Sequence, residues 1–99
     1  MVLAKRNSLF GKMLKTTIER IQKMEVYFDT LSSAVKSNPQ ILKEDVNMQK
    51  MLCELTSYYE SGQWLQDFEA DERGELPKDL KRGVLSEDGV YNLLSEFKE

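Results

Sequence analysis

The chain of 99 residues contains no histidine. This removes the commonest general base, the commonest neutral metal ligand and the usual charge switch near neutral pH. Serine triads and histidine-built zinc sites are therefore excluded. There is one cysteine, Cys53, so no intrachain disulfide can form and a thiolate zinc site lacks ligands. Any chemistry must come from carboxylates, lysines, tyrosines or a bound group. No apolar run approaches the ~18 residues of a membrane span. The opening "MVLAKRNSLFGKMLK" is basic without a continuous apolar core, so it reads poorly as a signal peptide. The expected setting is the cytoplasm of a bacterium or a similar cell. Strand-like alternation is weak throughout, with "RGVL" at most a brief extended segment.

What is present suits one small soluble domain: 40% hydrophobic and 31% charged residues. A chain of this size buries only about 60–65% of its unfolded surface, so spare apolar area is scarce. The net charge of −3 is unevenly distributed. Residues 1–36 hold seven Lys and Arg against three acids, whereas residues 63–99 hold five against ten. Such a gradient favours packing of the two ends, or the meeting of two copies. It does not favour general nucleic-acid binding, because the acidic part repels phosphates.

Apolar spacing predicts an all-α fold, a small helical bundle. Residues 1–11 read as a basic arm that is either loose and set apart at Gly11 or continuous with the first helix. Leu14, Ile18, Ile21, Phe28, Leu31 and Val35 recur at helical spacing and predict a helix over about 12–36, with Glu19, Arg20, Lys23 and Glu25 on its other sides. Asn38 and Pro39 suit the start of a second helix over about 39–60, with Ile41, Met48, Met51, Leu52, Leu55, Tyr58 and Tyr59 on its apolar side. The two form an antiparallel hairpin. A shorter helix over about 62–72 follows the break at Ser61-Gly62, and Gly74 is suited to a left-handed helix end. Ser86 is expected to cap a last helix over about 87–97, with Glu87 and Asp88 in its first turn. Residues 12–99 thus make a single helical domain.

Three carboxylates stand out as metal or acid–base candidates: Asp67, Asp71 and Glu75. Their spacing does not match a calcium loop, and the plainer reading is that they cap turns or pair with Arg73, Lys78, Lys81 and Arg82. Tyr58, Tyr59, Trp64 and Phe68 surround the break at 61–62. They are candidates for an interaction site with Arg82, or else core. "LKRGVLSED" offers a weak anion site at a helix start, already opposed by Glu87 and Asp88. No residue pattern calls for a cofactor or a small-molecule ligand.

Two stretches, "RIQKMEVYFD" and the longer, more specific "SYYESGQWLQDFEADERGELPKDLKRGVLSEDGVYNLL", resemble an uncharacterised bacterial family known as domain of unknown function 4298. The resemblance covers about 80 residues from Arg20 onward. It implies an all-helical protein with no assigned activity, catalytic residues or cofactor, so function must be argued from the residues. The leading expectation is a non-enzymatic helical module that binds a protein partner or itself, as a homodimer. The alternatives are a small metal-binding protein or hydrolase using Asp67, Asp71 and Glu75, and a weak nucleic-acid-linked regulator acting through the arm with Lys5, Arg6, Lys12 and Lys15.

Overall fold

The computed structural model describes the backbone of residues 2–97 and the side chains of residues 14–97. Among the described residues, five helices and one 3₁₀ turn follow one another, with no strand. The first helix, α1, runs Val2–Ser37. At 1.5 Å per residue its 36 residues span about 54 Å, which accounts for the long dimension of the 56 × 24 × 23 Å molecule. The expected start near Lys12 lies inside this helix. One glycine in a helix interior costs only about 1 kcal/mol. Around Gly11, good helix formers such as Ala4, Lys5, Arg6, Met13 and Leu14 carry the helix through.

The expected second helix over 39–60 is two helices, α2 (Ile41–Glu44) and α3 (Val46–Glu60). Pro39 lies in a turn, not at a first helical position; the N–H of Ile41 donates to the Asn38 carbonyl at 3.1 Å. Asp45 makes the break. Its backbone is extended (φ −89°, ψ 117°), and its carboxylate accepts from the N–H groups of Asn47 and Met48 at 2.8 and 3.2 Å. A short acidic side chain that can satisfy the donors of a helix start competes with continuing the helix through itself. Gln49 then donates to the Lys43 carbonyl at 2.7 Å, answering one of the acceptors that α2 leaves open.

Gly62, at φ 96°, turns the chain into α4 (Gln63–Glu72). Gly74, at φ 74°, is left-handed just beyond its end, as the spacing predicted. A loop leads to the 3₁₀ turn Gly83–Leu85 and then to α5 (Gly89–Ser95). This last helix is shorter than the expected 87–97. Glu87 and Asp88 precede it, and no side chain caps it. Ser86 packs against Gly89 instead, where a Cβ would collide with the Ser86 Oγ and fall 3.1 Å from the Phe28 ring. A side chain at 89 would turn the Ser86 hydroxyl aside and push the Phe28 ring back by a few tenths of an ångström.

The core is one cluster. Ile21, Met24, Leu31 and Ala34 of α1 pack with Leu55 and Tyr58 of α3, Trp64 of α4, and Val84, Leu85, Val90 and Leu93 of the C-terminal part. The α1 and α3 helices run antiparallel, since Glu54 meets Lys23 and Tyr27 while Tyr58, further along α3, reaches the level of Arg20. Ile18, placed by spacing on the core face, is only half-buried.

Because Asp45 supplies two capping bonds, Asp45→Ala should lower stability by about 1 kcal/mol. A reduced urea midpoint with an unchanged m-value would register this, and no change in midpoint would mean that the cap is dispensable.

Candidate functional site

Asp67 is 1% exposed and lies on the inner face of α4. A carboxylate so deep in a small bundle must be answered by donors. Arg20 grips it with two bonds, from Nε to Oδ2 at 2.9 Å and from a terminal nitrogen to Oδ1 at 2.6 Å. The Tyr58 hydroxyl donates to Oδ2 at 2.7 Å. One carboxylate thereby joins α1, α3 and α4. Bonding to Asp67 raises the pKa of Arg20. Burial, and then the bond to Asp67, push the Tyr58 hydroxyl far above the ordinary tyrosine range.

A second clamp holds the C-terminal turn. The Val84 N–H donates to Glu25 Oε1 at 2.8 Å, and the Val84 carbonyl accepts from Trp64 Nε1 at 2.8 Å. Both backbone groups of a fully buried residue are thus satisfied by side chains of α1 and α4. Arg20 and Glu25, expected on the outer sides of the first helix, are instead its inward polar groups. Glu25 lies four residues from Ile21 and three from Phe28, within the apolar stripe, and that position was the signal for it.

The candidate carboxylates do not share one centre. Asp67 belongs to Arg20 and Tyr58, Asp71 pairs with Arg82, and Glu75 pairs with Arg73 at 2.8 Å. Asp67 and Glu75 do border one hollow of about 320 Å³, but Arg20 and Arg73 border it too. Among the described residues no group of three acidic or cysteine side chains is placed to hold a metal. The aromatic candidates lie mostly in the core. Tyr58 and Trp64 are buried, Trp64 stacks on Phe68 at 5.1 Å, and Tyr59 meets Trp64 edge-on at 5.1 Å. Arg82 also donates to the carbonyls of Leu80 and Pro77. It therefore organises its own loop from within.

That loop forms one wall of a groove on the surface. Pro77, Asp79, Leu80 and Lys81 stand opposite Ile18, Gln22, Glu25, Val26 and Asp29 of α1, around a groove of about 420 Å³. Its floor and walls include Ile18, Val26, Pro77 and Leu80, and Val26 is 59% exposed. Its charged groups are three acids, Glu25, Asp29 and Asp79, against the single cation Lys81. The sequence reading missed this groove, because residues 77–81 carry no periodic pattern and meet α1 only through the fold.

Removing one member of a buried ion pair strands the other, at a cost of about 3–5 kcal/mol. Asp67→Ala should therefore be strongly destabilised in urea. The triple change Arg20→Met, Tyr58→Phe and Asp67→Leu should be less so, and equal losses would refute the account of stranded groups. The raised Tyr58 pKa means that the folded chain holds this proton more tightly than the unfolded chain does. Its contribution is complete below about pH 10 and is lost as pH rises further. Tyr58→Phe should flatten the alkaline fall in the urea midpoint, and an identical slope in both chains would remove Tyr58 from that fall.

No curated protein matches this chain, nor does any solved structure. A family model described as a domain of unknown function matches residues 21–99. That span takes in both clamps except Arg20, and the whole loop wall of the groove. The resemblance carried by the aromatic and acidic stretch thus extends from the middle of α1 onward, and the chain belongs to the family DUF4298.

Proposed function

We propose that this chain is a non-enzymatic helical interaction module, cytoplasmic and self-associating, whose docking face is the groove between α1 and residues 77–81. The observation that carries the reading is Val26, 59% exposed in the middle of the helix that supplies much of the core. It stands beside Ile18, Leu80 and Pro77 rather than alone. Single exposed apolar residues need no explanation, but a grouped set bordered by charges is the usual form of a protein-binding surface. The non-enzymatic reading draws support from the carboxylates, each engaged by a different arginine. The cytoplasmic reading draws support from the exposed free thiol of Cys53.

Sedimentation of the chain at concentrations up to about 100 µM should show a dimer. Val26→Lys should shift it towards monomer, with helicity by circular dichroism unchanged. A native chain that remains monomeric over that range would overturn the proposal.

A further inference from the structure

We infer that the groove is filled by the basic N-terminal part of α1 from a second copy, laid antiparallel so that two copies fill each other's grooves. This rests on the self-association proposed above and specifies its geometry.

The first observation is length. The α3 and α4 helices reach α1 at Arg20, through Tyr58 and Asp67, and the hollow beside α4 extends back as far as Leu14. From Leu14 to Val2 the helix continues for about 18 Å. The second observation is charge. The first 18 residues contain Lys5, Arg6, Lys12 and Lys15 and no acid, interleaved with Leu3, Leu9 and Phe10. The groove presents apolar walls with two open acids, Asp29 and Asp79, against one cation, Lys81, while Glu25 is held by the Val84 N–H. A helix with apolar residues and basic flanks is the partner that such a trough recognises. This chain carries one.

The third observation is register. A two-fold axis near residues 15 and 16 sets two α1 helices antiparallel, and levels whose numbers sum to 31 then meet. Lys12 of one copy comes to the level of Glu19 of the other, Lys5 to Val26 and Leu9 to Gln22. On the receiving copy, Glu19, Gln22, Val26 and Asp29 are all exposed and follow at spacings of three and four, a single stripe of α1. Two helices at the usual 8–10 Å separation make both sets of contacts at once. The interface is therefore isologous and closes at two copies.

The test is a charge swap in the full chain, read by sedimentation. Lys12→Glu and Glu19→Lys should each weaken the dimer by about tenfold or more, since a symmetric interface carries each reversed contact twice. The double variant Lys12→Glu/Glu19→Lys should return to within about threefold of the native constant, with circular dichroism confirming helicity in all three. A native dimer indifferent to the single reversals, or a double variant no tighter than the singles, would overturn this register and leave self-association standing. A native chain that is monomeric throughout would overturn both.

Discussion

The structure turns on a buried carboxylate. Asp67 gives up its water to sit inside a bundle of fewer than 100 residues. That desolvation is tolerable only because three helices converge to answer it. Arg20 brings α1, Tyr58 brings α3, and Asp67 itself brings α4. A carboxylate has about four acceptor sites with defined directions, so these bonds specify relative helix positions in a way that apolar contacts alone do not. An apolar group at this point would bury just as well, but it would let α4 slide along α1.

The position of α4 governs the C-terminal part of the chain. Trp64 lies on the same helix as Asp67 and three residues earlier, so fixing Asp67 also aims the indole N–H at the Val84 carbonyl. Glu25, on α1 and five residues beyond Arg20, takes the Val84 N–H. Two polar contacts per helix, one for each clamp, thus place the 83–85 turn. Gly83 and Gly89 then let the backbone lie close to Glu25 and Phe28. Arg82 completes the arrangement by pairing with Asp71 and holding the carbonyls of Pro77 and Leu80. The loop wall of the groove is thereby braced, although it contains no helix.

The helical class, the hairpin, the break at Gly62 and the left-handed Gly74 were legible in the residues, because each rests on local spacing or on the conformational freedom of glycine. The break at Asp45 was also local but harder to see. The apolar period continues across it, and only the capping ability of one acid interrupts the helix. Of the two readings of residues 1–11, the continuous one matches α1, because a single weak helix former such as Gly11 counts for little within a long helix. The clamps were beyond local reasoning. The pairing of Arg20 with Asp67 spans 47 residues, and that of Glu25 with Val84 spans 59. Charge at those positions reads as solvated surface until the fold brings the partners together.

The same distinction separates the two kinds of charge in the molecule. Charges that serve the fold are matched inside the chain: Arg20 to Asp67, Arg82 to Asp71, Arg73 to Glu75 and Lys23 to Glu54. By sequence, residues 1–18 add four cations and no acid, whereas residues 63–99 hold ten acids against five cations. An imbalance of this kind does little for a monomer, since distant exposed charges are screened within about 10 Å at moderate salt. It becomes useful when opposite ends are brought within that distance. On the pairing proposed above, a helix more than twice the length of its partner in the hairpin does this: the basic end of each copy reaches the groove of the other without any change in the bundle. On this account, charges matched within the chain define the fold, and the remainder defines what the chain can bind.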